Sequence, residues 1–266
     1  MKLRIAKLFC VCLLVFAFSG CATLGKTDIY QTNSGVKIEY FLLENNASSE
    51  TIVFENGLDG KMEWWAKVIP ELSKKATVFA YNRPEYGNSD AATTPRDSEH
   101  ITLELKELLA AKGLKPPYIV VGHSVGGLYM QHFARRYPNE VKALILVDST
   151  HPRQFDGDGS PDNWPAWFRF VFFNIALTDI GKKEFALISK SGKDILALPT
   201  FEKKVIVLSA SKPMKDSSKL ADYANKLRKD IANLYPNSKQ IWVDSGHAVP
   251  FERPDAVIEA VKDALE

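Results

Sequence analysis

The chain has 266 residues, 45% of them hydrophobic and 25% charged. That length and apolar content suffice for one large α/β domain and require no second one. The formal charge of +2 comes from 34 basic against 32 acidic residues. Setting aside Lys2, Arg4 and Lys7 of the N-terminal segment leaves 31 against 32, a balance that gives no ground for a nucleic acid or an anionic surface as a charge-driven partner.

Met1 to Lys7 is basic, Leu8 to Phe18 is an unbroken apolar run of 11 residues, and Ser19-Gly20-Cys21 follows. At 1.5 Å per helical residue the run reaches about 16 Å, roughly half a bilayer core, so it fits a signal-peptide core better than a span. Small residues directly before a cysteine resemble the lipobox of bacterial lipoproteins, although Phe18 stands where that pattern has an aliphatic residue. The resemblance implies removal of residues 1–20, acylation of Cys21 as the new N-terminus, and attachment of a water-facing domain to the cell envelope by lipid. With Ala22 next, it implies an outer membrane if the source is a diderm bacterium. An ordinary signal peptide cut nearby and an uncleaved anchor are the alternatives. Cys10 and Cys12 fall in the removed segment, leaving Cys21 alone, so no disulfide is available.

Residues 22–34 are short, polar and unpatterned and are expected to form a tether. Val36 to Leu43 alternates as an edge strand does, and Asn45 to Ser49 is a turn cluster. Thr51 to Phe54 is a buried strand ending at Glu55-Asn56-Gly57-Leu58-Asp59-Gly60. Lys61 to Lys75 has Met62, Trp65, Val68, Ile69 and Leu72 near helical spacing and is expected as one helix. Ala76 to Tyr81 is a strand. Ser98 to Lys112 is a helix with Ile101, Leu105, Leu108 and Leu109 on one face and Gly113 as its stop. Pro116-Pro117 prevents it from running on.

The strand that follows stops at Gly122-His123-Ser124-Val125-Gly126, and a helix runs on to Tyr137, closed by Pro138. A strand turning this sharply into a helix leaves room for glycines alone two places either side of the serine, and sets its hydroxyl at the tip beside free helix amides. Val141 to Val147 is a fully apolar strand ending in Asp148. Residues 153–203 break the strand-helix rhythm with a Gly/Asp/Pro-rich loop and then Trp164, Trp167, Phe168, Phe170, Phe172 and Phe173. Lys204 to Leu208 is a strand, Ser217 to Leu234 a helix, Gln240 to Val243 the last strand, and Asp255 to Leu265 the closing helix. Between the last two lies Asp244-Ser245-Gly246-His247-Ala248-Val249-Pro250-Phe251.

From residue 37 onward the chain resembles the α/β-hydrolases. The resemblance rests on the elbow around Ser124, on the turn Asn82-Arg83-Pro84-Glu85-Tyr86-Gly87-Asn88-Ser89, which departs from the family pattern at Asn82 and Glu85, and on the loop around His247. It implies a mostly parallel central sheet flanked by helices, a helical aromatic cap over residues 153–203, a serine-acid-histidine series in chain order, and no cofactor. Within it, Ser124 is the expected nucleophile and His247 its base, because a serine hydroxyl is unreactive until a neighbour takes its proton. The acid is expected at Asp148, with Asp216 as the alternative. The strand 204–208 has no carboxylate where the family commonly places one, and Asp216 comes several residues late. The amides of Leu58 and Val125 are the expected oxyanion donors, with Asn56-Gly57 replacing the family's frequent His-Gly. Arg83 is expected to tie loops together, and His100, His123 and His132 to be structural.

A serine at the elbow argues against chemistries on this fold that need a carboxylate nucleophile, and no Cys/His/Asp spacing or Gly-rich loop points to a metal or a phosphate. The expected activity is hydrolysis of a small-molecule carboxylic ester or thioester. Acyl transfer, amide hydrolysis, or a binding scaffold without turnover are the alternatives.

Overall fold

The structure, a computed structural model, describes residues 23–211 and 218–266. Its eight-stranded sheet has the order β1-β2-β4-β3-β5-β6-β7-β8. The strands are β1 (Asp28–Gln31), β2 (Lys37–Leu43), β3 (Thr51–Glu55), β4 (Thr77–Tyr81), β5 (Tyr118–His123), β6 (Val141–Val147), β7 (Lys204–Ala210) and β8 (Ser238–Val243). From β4 to β8 all neighbours run parallel, while β1 and β2 pair antiparallel at one edge. The helices are α1 (Ile69–Leu72), α2 (Ser98–Ala111), α3 (Val125–Arg136), α4 (Ala166–Val171), α5 (Asp179–Ala186), α6 (Ile188–Ala197), α7 (Lys219–Asp230), α8 (Val249–Glu252) and α9 (Pro254–Leu265).

The central strands are apolar throughout because both faces of the sheet are covered. Alternate residues divide between two cores. Val53, Phe79, Val120 and Leu144 meet α2 and α3 through Ile101, Leu105, Leu128 and Phe133. Ile52, Val78, Ile119 and Ile145 meet Trp65, Leu72 and, from α9, Val257 and Val261. The parallel register then aligns the strand ends: Glu55 lies beside Gly122, His123 beside Val147, Val147 beside Leu208, and Ala210 beside Val243. The loops holding Asn56, Ser124, Asp148 and His247 therefore leave one edge of the sheet side by side.

Two segments differ from the sequence expectation. Residues 61–75 form a 3-10 turn, Met62–Trp65, and the four-residue α1, since Pro70 has no N–H to donate to a preceding turn and restricts the residue before it. The expected tether contains β1, which pairs with β2 from Asp28↔Tyr40 to Gln31↔Lys37, and Leu24 is buried. Cys21 and the segment 1–22, like Asp216, lie outside the described residues. Among the described residues no helix is long and apolar enough to cross a membrane.

Residues 153–203 form the expected helical insertion. Trp164 is buried and surrounded by the rings of Phe155, Phe168, Phe172, Phe173 and Phe185, with centroids 5.0 to 6.2 Å away. Leu58 is partly buried against the larger apolar core to which Trp164 and Phe185 belong. The aromatic stretch thus packs down on the body, and beyond it Thr178 N donates to Asp59 Oδ2 of the loop after β3 at 3.1 Å. Trp167, Phe170 and Ile175 stay exposed.

The insertion is fastened by a buried ion network. Arg83 donates from Nε to Glu184 Oε1 at 2.8 Å and from Nη2 to Glu184 Oε2 at 2.9 Å, while its Nη1 reaches Glu55 Oε1 at 2.5 Å. All three side chains are essentially inaccessible. Burial pushes the Glu55 carboxyl up, against the pull of Arg83 and the hydroxyl of Tyr81. Removing one partner of such a set strands a buried charge, so Glu184→Ala should lower the free energy of unfolding by about 3–5 kcal/mol in urea denaturation. Leu43→Ala, at a 45% exposed position, should change it by under about 0.5 kcal/mol.

Candidate active site

The serine at the end of β5 has a backbone conformation that non-glycine residues avoid, with φ 54° and ψ −123°. Three hydrogen bonds hold it there. Ser124 N donates to Val147 O at 3.1 Å, and Ser124 O accepts from Gly127 N at 3.0 Å and Thr150 N at 2.9 Å. Close approach dictates the flanking glycines: a Cβ on Gly122 would lie 2.6 Å from Gly126 O, and one on Gly126 would lie 2.3 Å from Asn56 O.

Ser124 Oγ lies 3.0 Å from His247 Nε2, and His247 Nδ1 lies 2.6 Å from Asp148 Oδ2. With Nδ1–H donating to the carboxylate, Nε2 is the ring nitrogen left to accept the serine proton. The imidazole is 48% exposed on its side chain and the carboxylate 1%, so this series runs from solvent into the protein. Asp148 also has a positive φ of 38°, and its Oδ1 accepts from Ala210 N at 3.1 Å and Arg228 Nε at 2.8 Å. Burial opposes its ionisation. The hydrogen bond and charge of His247, followed by the charge and hydrogen bond of Arg228, outweigh burial and hold the carboxyl at about 2.

The loop after β3 runs against the serine, since a Cβ on Gly57 would meet Ser124 Cβ at 3.2 Å. Arg83 fixes this loop by donating to Asn56 O at 2.7 Å and to Gly57 O at 2.8 Å. Because a trans peptide directs its C=O and N–H oppositely, the amide of Leu58 points away from Arg83. Val125 is the first residue of α3, so its N–H has no carbonyl a turn behind it in the helix. The Asn56 side chain is committed elsewhere, accepting from Trp65 Nε1 at 2.9 Å and donating to Tyr81 O at 2.8 Å.

The remaining histidines stand apart from the serine hydroxyl. His123 lies beneath the site, its Nε2 2.9 Å from His247 O and its ring stacked on Trp64 at 5.1 Å. Burial, followed by the nearby His247 charge, lowers it to about 3, so it is neutral and donates from Nε2. His132 bonds Thr102 between α2 and α3, and His100 bonds Asp97 at the start of α2. Sequence reasoning missed Arg228 altogether. Its contact with Asp148 spans 80 positions, and no local pattern marks it. Among the described residues, no group of three or more His, Cys, Asp or Glu is arranged to hold a metal ion.

A family model described as the alpha/beta hydrolase fold matches residues 50–228. The sequence is similar to an uncharacterized protein of Bacillus subtilis, YbdG, with 28% identity over 130 residues, covering 49% of this chain and 37% of that one. It is similar to the (Lyso)-N-acylphosphatidylethanolamine lipase of Bos taurus with 31% identity over 101 residues, covering 36% and 29%. The match thus spans less than half the length of either relative. Among solved structures, Cfl2 from Burkholderia cenocepacia superposes with TM-score 0.68 at 21% identity, covering 90% of this chain and 95% of that one. The enol-lactonase from Burkholderia xenovorans LB400 gives 0.62 at 19%, covering 90% and 99%. At these identities the likeness is one of fold.

The depressed Asp148 carboxyl has a consequence for acid stability. Its ordinary value of 3.8 lies above the folded value of about 2, so the stabilisation is present above about pH 4 and disappears as the pH falls towards 2. It amounts to about 2 kcal/mol. Between pH 5 and pH 2, Asp148→Asn should therefore lose about 2 kcal/mol less stability than the wild type in denaturant titrations. Parallel losses would contradict the assignment.

Proposed function

The chain belongs to the α/β-hydrolase fold family, and from that premise we propose that it is a serine hydrolase acting on carboxylic esters or thioesters through an acyl-enzyme on Ser124. The observation that carries this reading is the continuous series from Ser124 Oγ through His247 to Asp148, at 3.0 and 2.6 Å. Ser124 Oγ attacks the carbonyl carbon as its proton passes to His247 Nε2. Asp148, still ionised, holds the ring in the tautomer that can accept that proton and stabilises the imidazolium. The carbonyl oxygen becomes an oxyanion, for which the Leu58 and Val125 amides are the donors. Collapse breaks the bond to the leaving oxygen or sulfur, which takes the proton from Nε2–H. Water then gives its own proton to His247, attacks the acyl carbon and releases the acid, returning the proton to Ser124.

The loop geometry supports the donor assignment, because Arg83 holds the carbonyls of Asn56 and Gly57 on its own side. The aromatic cluster around Trp164, in an insertion tied to the loop after β3 through Thr178 and Asp59, supports an apolar acyl group. A relative named as a lipase fits that class. Ser124 in place of a carboxylate sets the chain apart from alkyl-enzyme chemistry on the same architecture.

A fluorophosphonate probe should label the wild type and leave Ser124→Ala unlabelled. With p-nitrophenyl esters, Asp148→Asn should lower kcat by about 10³–10⁴-fold. Wild-type protein that neither labels nor turns over p-nitrophenyl esters of short, medium or long acyl chains would favour a scaffold instead.

We propose further that the protein is held at the cell envelope by lipid. Residues 1–20 direct export, Cys21 carries the lipid, and the domain faces water at the cell envelope, a reading supported by the lipobox-like Ser19-Gly20-Cys21. Expressed in a bacterium fed radiolabelled palmitate, the wild type should incorporate label and sediment with membranes. Cys21→Ala should do neither, and a wild type without label would sink the lipid assignment.

A further inference from the structure

We propose that Arg228 on α7 is a positioning residue of this site, fixing the plane of the Asp148 carboxylate and setting how basic His247 is. The inference rests on the serine-hydrolase reading for its kinetic consequences, and on geometry for its substance. The carboxylate has two oxygens with different duties. Oδ2 faces the imidazole, whereas Oδ1 accepts both Ala210 N at 3.1 Å and Arg228 Nε at 2.8 Å. Two donors from different elements on one oxygen prevent the group from rotating, so the other oxygen stays in line with Nδ1.

Arg228 is itself held in place. Its Nη1 donates to Asn225 Oδ1 at 3.0 Å one turn earlier, and its carbonyl accepts from Gln240 Nε2 of β8 at 2.8 Å. Its side chain is 17% exposed against 1% for Asp148, so the pair is largely removed from screening water. A guanidinium here also offsets part of the carboxylate charge that would otherwise act on the imidazole. The other groups around His247 do not duplicate it. His123, behind the ring, is neutral; Glu252 of α8 accepts Gly246 N at 2.7 Å in the same loop; and Asp244 lies in the field of Arg253. Among these groups, Arg228 is the cation in contact with the acid.

The sign of the effect follows. Without the Arg228 charge, Asp148 stabilises the imidazolium more, His247 binds its proton to higher pH, and the neutral base needed for attack appears later. In the full-length protein, Arg228→Met should move the acidic limb of the kcat/KM profile up by roughly half a pH unit or more. It should also lower the alkaline plateau by about tenfold, because the carboxylate is no longer held in one plane. Arg228→Lys keeps the charge without the fork, so it should restore the limb and only part of the plateau. Lys229→Met, the same charge change at the next and exposed residue, should leave both unchanged.

A second readout needs no turnover: the downfield proton NMR signal of the His247 Nδ1–H should shift or broaden in Arg228→Met and return towards the wild type in Arg228→Lys. A folded Arg228→Met with an unmoved limb and an unmoved proton signal would overturn the proposal, as would a limb displaced to lower pH. Absence of fluorophosphonate labelling in the wild type would instead overturn the hydrolase reading, leaving the proton signal to decide the role of Arg228.

Discussion

The site depends on one strained residue. Ser124 sits at φ 54° between a strand and a helix, a conformation costing of the order of 1–3 kcal/mol that persists only where its surroundings over-determine it. Here they do so from three sides. Val147 at the end of β6 accepts its amide, Thr150 and Gly127 donate to its carbonyl, and Gly126 lets the loop after β3 approach too closely for any side chain. A serine in relaxed extended geometry at the same position would continue the strand and bury its hydroxyl in the sheet. The strain puts that hydroxyl at the sheet edge, where the histidine loop meets it.

The rim around the serine is held mainly by charge. Arg83 ties the two carbonyls before Leu58 to Glu55 beneath and to Glu184 in the insertion, so loop and insertion share one anchor. Thr178, which caps α5, bonds Asp59 of the same loop. On the opposite side, Asp148 is pinned by an amide from β7 and a guanidinium from α7. Beneath the imidazole Phe251 meets Trp64 edge-on, Trp64 stacks on neutral His123, and His123 supports the backbone of the histidine loop. Apolar packing builds the sheet and its helices; directional, charge-assisted bonds then set angles that packing alone leaves loose. These anchors leave α5 and α6 fastened to the body, with exposed Trp167, Phe170 and Ile175 on the segment before them.

Local signals made much of this legible from the residues. The elbow and the histidine loop are short patterns with a mechanical meaning, and the fully apolar strands announce a sheet covered on both faces. The choice between Asp148 and Asp216 was different, because it depends on which strand end stands beside residue 247, a matter of register that no stretch of chain encodes by itself. Asp148 is the carboxylate found against that imidazole. Arg228 gave no signal for the same reason. Residues 61–75 looked helical because apolar spacing outweighed Pro70, whose missing donor splits the segment. Strand β1 was invisible since its residues are largely exposed and do not alternate; it exists because β2 offers an open edge. The aromatic insertion admits two readings from its residues alone, and the inward packing of Trp164 among its rings is the one its contacts describe.

The reaction proposed for this site requires an acyl group to pass through one hydroxyl. Rapid quenching of the wild-type protein with p-nitrophenyl acetate, followed by intact mass and peptide mapping, reads that step directly. A burst of nitrophenol matching the protein concentration, with an acetyl group mapped to Ser124, is the predicted result. Release that is linear from the first milliseconds, with no acetyl on Ser124 at any time, would contradict it.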